Sequence, residues 1–220
     1  MVYKADSPHF LLIQPVDEHD LEVLDNEVAT ITSLTRQPFS LVAFQIKDWQ
    51  NELTPWPAPA VFGKIPFGDG AGNTLSYMRN ALIPELVKMG IYDDKNMKCL
   101  LGGYSLAGLF ALWACCQTPL FHGVAAVSPS VWYPDWIQYA ESRIPLVSQL
   151  YLSLGDKEEK ARNPVMSQVG DHIRRLYELW TARGLHSTLE WNKGNHFQHS
   201  DVRTAKGFAW LISTLSTINN

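Results

Sequence analysis

Positive charge is scarce in this sequence, and clustered positive charge is absent. Across 220 residues, 18 Lys and Arg stand against 22 Asp and Glu, a formal net charge of −4, and no short stretch concentrates the basic residues. A nucleic-acid partner needs a basic footprint, so none is expected. Long apolar runs are missing near the start: MVYKADSPHFLLIQPVDEHD holds only a short one, Phe10 to Ile13, with charges and a proline close on both sides. Neither a secretory signal nor a membrane span is expected from it. Cysteine is rare too. Cys99, Cys115 and Cys116 fall at neither CxxC nor metal-ligand spacing, which reads as buried small hydrophobes in a reducing, cytoplasmic compartment. His196 and His199 lie in a turn with no HExxH motif and no carboxylate at ligand spacing, so no metal and no cofactor is expected.

What is present describes a folded chain. Apolar residues make up 46% and charged residues 18%, a globular rather than a disordered mixture. The length suits one well-buried core and is short for two, so a single domain over 1–220 is expected. Nothing in the composition speaks to oligomeric state.

Short apolar, β-branched runs alternate with stretches of helical period, the pattern of a parallel sheet flanked by helices in three layers. Six strands are predicted, at 10–16, 40–46, 97–102, 123–128, 149–154 and 187–192. Those in the middle of the chain are apolar throughout, as strands covered on both faces are. Apolar stripes predict helices over 73–89, over 166–180 with a stop near Gly184, and over 202–215. One connection is too long for a plain turn: 47–72 carries Pro55, Pro57, Pro59 and Pro66 with Gly63, Gly68, Gly70 and Gly72. A loop of that length is read as a substrate or lid segment.

The strongest chemical signal is CLLGGYSLAGLFALWACC, where an apolar strand runs through Gly103-Tyr104-Ser105-Leu106-Ala107-Gly108 straight into an apolar helix. A nucleophilic serine on such an elbow needs small residues two positions away on either side, so that strand and helix can approach. Gly103 and Ala107 meet that need, although Ala107 departs from G-x-S-x-G. Leu106 would offer its backbone N–H to an oxyanion. A serine nucleophile needs a base, and the base an acceptor that fixes its tautomer. Both follow in chain order. QLYLSL ends in Gly155-Asp156-Lys157-Glu158-Glu159, and STLEWN in Lys193-Gly194-Asn195-His196-Phe197-Gln198-His199. The third position after the strand-ending glycine is best placed to turn back over the sheet, which favours Glu158, with Asp156 and Glu159 as alternatives. His196 in the tight GNH turn is favoured over His199.

Together, GGYSLAGLFALWA, FHGVAAVSPSVWY, LYLSLGDKE and WNKGNHF resemble an esterase family of the α/β-hydrolase superfamily that includes enterochelin (siderophore) esterases and esterase D-like hydrolases. The resemblance covers about residues 70–215, and Ser128-Pro129-Ser130-Val131-Trp132 is its most specific element. It implies a minimal α/β-hydrolase sheet and a triad of Ser105, Glu158 and His196. The chain departs from the family at Gln14-Pro15, where a His-Gly pair would stand; proline has no N–H to donate, which leaves Val16 or Asp17 as second oxyanion donor. It also begins at what would be the third strand of a full α/β-hydrolase, so the leading antiparallel strands are expected to be absent.

The expected activity is hydrolysis of a small-molecule carboxylic ester through an acyl-enzyme, with substrate contacts from Trp49, Trp56, Tyr104, Trp132 and Tyr133. Thioester hydrolysis or acyl transfer could use the same residues. Gln14-Pro15 and Ala107 are the features that would suit a non-catalytic binding module on the same fold instead.

Overall fold

The computed structural model describes residues 1–217. Its apolar runs become one sheet of seven strands: β1 (Val2–Lys4), β2 (Phe10–Val16), β3 (Phe39–Gln45), β4 (Lys98–Tyr104), β5 (Gly123–Val127), β6 (Gln149–Gly155) and β7 (His186–Asn192). They lie in the order β1-β3-β2-β4-β5-β6-β7. β2 to β7 are mutually parallel, and β1 runs antiparallel to β3 with Val2, Tyr3 and Lys4 opposite Val42, Leu41 and Ser40. The expectation of six strands and no leading antiparallel strand is thereby corrected. β1 is three residues long and largely exposed, so it shows no run of alternation; it exists because β3 would otherwise offer a free edge.

Helices cover both faces, which is why β2, β4, β5 and β6 are almost wholly buried. On one face lie α1 (Glu18–Leu34) and α8 (Ser200–Thr217), whose Leu24, Ile31, Phe208, Leu211 and Ile212 pack on Phe10, Leu12, Leu41 and Leu100. On the other lie α3 (Ala71–Tyr77), α4 (Ile83–Lys88), α5 (Leu106–Ala114), α6 (Trp136–Glu141) and α7 (Val169–Ala182), packed on Leu11, Ile13, Cys99, Leu101 and Leu152. The short α2 (Trp49–Glu52) begins the long connection after β3. Successive residues of a strand alternate between the faces, so one apolar run feeds two cores.

The predicted helix over 73–89 is interrupted. Met78–Leu82 forms a π-turn between α3 and α4, in which the Ile83 N–H reaches back five residues to the Met78 carbonyl. Pro84 explains it: a proline has no N–H for the preceding turn and its ring crowds the carbonyl four residues back, so the helix widens locally. The long connection is more ordered than a bare loop, since Ala58 and Phe67 exchange hydrogen bonds and the Thr54 hydroxyl donates to the Gly68 carbonyl at 2.9 Å.

Candidate active site

β4 delivers Ser105. The turn from β4 into α5 puts Ser105 at φ 58°, ψ −121°, a conformation costly for a residue with a side chain and kept only where its surroundings enforce it. They do so here: the Ser105 N–H donates to the Val127 carbonyl at 3.1 Å, and its own carbonyl accepts from Leu109 and Ser130 at 3.1 and 3.0 Å. The bend brings Gly103 hard against α5. A Cβ at Gly103 would stand 2.5 Å from the carbonyl carbon and oxygen of Ala107 and 2.8 Å from its Cβ. With glycine at the first small position, the Ala107 methyl fits, and the departure from G-x-S-x-G has a local explanation.

β6 and β7 deliver the other two groups from neighbouring strand ends. The His196 Nε2 lies 3.0 Å from Ser105 Oγ, and the His196 Nδ1 2.7 Å from Glu158 Oε2. With Nδ1–H donating to the carboxylate, Nε2 is left as acceptor for the serine hydroxyl. Glu158 is buried, and its Oε1 accepts from the Ser128 hydroxyl and the Gly155 N–H, each at 2.7 Å. Burial alone would raise its pKa, but the hydrogen bond and charge of His196, with Ser128 and Gly155 behind them, hold the carboxyl below its ordinary range. The neighbouring acids have other duties. Asp156 Oδ1 accepts from the Gly194 N–H at 2.8 Å, which braces the His196 loop, while Glu159 pairs with Arg174 at 2.7 Å. His199 precedes α8, its carbonyl accepting from the Arg203 N–H.

The Ser-Pro-Ser-x-Trp element lies over this line. Ser128, at φ 44°, aims its hydroxyl at Glu158, and Ser130 Oγ lies 3.4 Å from Ser105 Oγ. Trp132 faces a cavity of about 630 Å³ that opens on Ser105 and His196. Trp49 and Tyr104 line it too, but Trp56 and Tyr133 do not. Trp56 donates from Nε1 to the Pro134 carbonyl at 3.0 Å and packs among Tyr133, Trp136 and Tyr139, while Tyr133 is buried with its hydroxyl donating to the Trp56 carbonyl. Both belong to the core under the long loop, where each polar tip finds a backbone partner. The cavity instead takes Phe62, Ala161, Arg162, Asn163, Met166 and Phe197; Met166 opens the apolar stripe predicted over 166–180 and Phe197 follows His196 in the GNHF turn, while the other four carry no periodic or motif signal. From the long connection 47–72, Trp49 and Phe62 reach the cavity wall.

Leu106 is the first residue of α5, so its N–H has no acceptor within the helix. Val16 and Asp17 differ sharply. The Val16 carbonyl accepts from the Ile46 N–H at 2.9 Å; a strand residue points both its backbone groups to the same side, so the Val16 N–H faces β3 and away from Ser105. Val16 is thus not placed as a donor. Asp17, the next residue, lines the cavity with its N–H 3.4 Å from Asp20 Oδ2. Asp20 completes a capping box with Asp17 at the start of α1, and burial followed by the Asp17 charge pushes its carboxyl up to about 6.

Cys99 and Cys115 are buried and Cys116 is half-buried, all as free thiols. Among the described residues, no helix is long and apolar enough to cross a membrane. Within the same residues, no group of three or more His, Cys, Asp or Glu side chains is placed to hold a metal ion.

The sheet order, the strained serine between β4 and α5, and the acid and histidine after β6 and β7 define an α/β-hydrolase fold. Solved structures of the same fold include the siderophore hydrolase EstA from Aspergillus nidulans, with 21% sequence identity over 95% of this chain and 84% of that one, at a TM-score of 0.68. An IroE-like serine hydrolase from Shewanella oneidensis superposes at a TM-score of 0.77, with 16% identity over 96% of this chain and 74% of that one. The enterobactin esterase FES from Shigella flexneri superposes at 0.71 with 16% identity, and there the chain spans 55% of the longer protein. No family model and no curated protein matches the sequence.

Proposed function

We propose that this chain is a serine hydrolase that cleaves a small-molecule carboxylic ester through an acyl-enzyme. The observation that carries the reading is the unbroken line from Ser105 Oγ to His196 Nε2 at 3.0 Å and from His196 Nδ1 to Glu158 Oε2 at 2.7 Å, with the serine on a strained turn at the mouth of a cavity. As Ser105 Oγ bonds to the ester carbonyl carbon, its proton passes to His196 Nε2, and Glu158 stabilises the imidazolium that forms. The carbonyl oxygen becomes an oxyanion. Leu106 N–H meets it, aided by the N-terminal field of α5. His196 then gives the proton to the departing alkoxide, and water repeats the sequence to free the acid. Trp49, Phe62, Trp132, Met166 and Phe197 suit an apolar substituent beside the ester. The fold likeness to proteins named siderophore hydrolase and enterobactin esterase supports ester chemistry.

The test is hydrolysis of p-nitrophenyl esters, from acetate to octanoate, by the wild type and Ser105→Ala at matched folding, with fluorophosphonate labelling alongside. Turnover and labelling that both vanish in the variant support the reading. Equal rates in both proteins, or a folded wild type that neither turns over nor labels, refutes it.

A further inference from the structure

We propose that Arg203 is the positioning residue of this site: its guanidinium fixes the Glu158 carboxylate and the loops bearing Glu158 and His196 in one arrangement, while its charge opposes part of the pull that Glu158 exerts on His196. The proposal rests on the Ser105–His196–Glu158 reading above.

Arg203 sits in the first turn of α8 with only 2% of its surface exposed. Its Nη1 lies 3.1 Å from Glu158 Oε1, 3.1 Å from the Tyr104 hydroxyl and 3.4 Å from Ser128 Oγ, and its Nη2 donates to the Lys193 carbonyl at 3.1 Å. Four separate segments meet on one side chain. Tyr104, which accepts from Arg203, donates in turn to the His196 carbonyl at 2.7 Å, so the hydroxyl passes the constraint on to the histidine loop. Glu158 Oε1 receives Ser128, Gly155 and Arg203 as donors, which leaves Oε2 for His196 alone. The backbone makes room for this arrangement. A Cβ at Gly155 would stand 2.4 Å from the Gly194 carbonyl oxygen and 3.0 Å from Arg203 Nη1. A lysine carries charge but no fork, and cannot serve Glu158, Tyr104 and Lys193 at once.

The electrostatic half follows from burial. A carboxylate 4% exposed pulls the imidazole beside it toward its protonated form, and a guanidinium 2% exposed at 3.1 Å opposes part of that pull. The other titratable or charged groups facing this cluster are Tyr104, Asp156 through the Gly194 N–H, and Asp17, His19, Asp20 and Arg162 on the cavity wall; the Glu190–Lys206 pair joins β7 to α8 further along.

The experiment compares wild type, Arg203→Met, Arg203→Lys and Tyr104→Phe by kcat and KM for a p-nitrophenyl ester across the neutral pH range, each with a melting curve. Arg203→Met is expected to lose about 100-fold in kcat with KM nearly unchanged, and the acid limb of its kcat/KM profile to move up by about one pH unit. Arg203→Lys and Tyr104→Phe lose kcat with the limb in place. An unmoved or lowered limb in Arg203→Met, or kcat and KM changing only in step with stability, overturns the proposal. If Arg203→Met does not fold, a displaced limb or an undiminished kcat in the other two variants overturns it instead. Titration of the His196 imidazole by NMR separates this result from the hydrolase reading. An upward move in Arg203→Met supports the electrostatic role even in a protein that turns over no ester.

Discussion

Replacing Glu27 with glutamine should stabilise this protein, and increasingly so as the pH rises. Glu27 lies on the buried face of α1, where its carboxyl accepts from Gln14 Nε2 at 3.2 Å, while its Oε1 and the Gln14 Oε1 have no partner. Burial, opposed by the Gln14 hydrogen bond and reinforced by the charges of Asp20 and Asp201, pushes this carboxyl from an ordinary 4.5 up to about 8. Protonation resolves the orphaned atoms, because a carboxylic O–H can donate to the Gln14 oxygen and close an acid–amide pair. Between about pH 4.5 and 8 the folded protein therefore keeps a proton that the unfolded chain releases. Stability is full below that window and falls as the pH rises through it, by about 3 kcal/mol at pH 7 and about 5 kcal/mol above pH 8. Glutamine has nearly the same shape, donates to Gln14 without ionising, and escapes that loss. Urea unfolding of both proteins at about pH 5, 7 and 8.5 measures the difference. For a chain of this size, 3 kcal/mol corresponds to a rise in Tm of about 6–12 °C. A difference that stays constant across the three pH values would refute the assignment of Glu27 as a neutral acid.

Other outcomes follow from the site. Gly103→Ala should fail to accumulate as folded protein, or melt with a loss above about 3 kcal/mol, because its methyl would meet the Ala107 backbone at 2.5 Å; a soluble variant of wild-type Tm would contradict the elbow geometry. Glu158→Gln should lower kcat by about 10³- to 10⁴-fold at matched folding, whereas a loss under about tenfold would move the orienting role to another acid. Trp132→Ala should flatten the chain-length preference among p-nitrophenyl esters. Trp56→Phe should leave KM unchanged and cost about 1 kcal/mol of stability through the lost bond to Pro134, and a raised KM would return Trp56 to the substrate.

Six of the strands, the elbow, and the acid and base loops are legible in the sequence because each rests on local pattern: an apolar run, a turn, a polar residue at a fixed offset. What escapes that pattern depends on the assembled molecule. α1 sets Leu21, Leu24, Val28 and Ile31 at helical spacing but buries Glu27 among them, so a charge interrupts its stripe; its partner Gln14 reads as an odd residue in a strand until the two meet. Arg203 reads as a solvent-facing charge on an amphipathic helix, and only the convergence of four segments gives it a buried task. Trp56 and Trp132 look equivalent as aromatic loop residues, and the path of the long connection alone decides which one meets the cavity. Val16 and Asp17 are adjacent in sequence, but Val16 ends β2 bonded to β3, whereas Asp17 caps α1 beside the cavity, a distinction set by where the strand stops.

β4, which leads into Ser105, is clamped between β2 and β5 with nearly every side chain buried, whereas β7, which precedes the His196 loop, is the last strand of the sheet and half-exposed along most of its length. Outer segments open at lower free energy than central ones. On warming, His196 should therefore leave Ser105 before the core gives way, and regain its place on cooling. If the proposed hydrolysis holds, the temperature of half-activity falls below the melting temperature read from ellipticity, and the working lifetime of the site is governed by its least protected border rather than by the robustness of its centre.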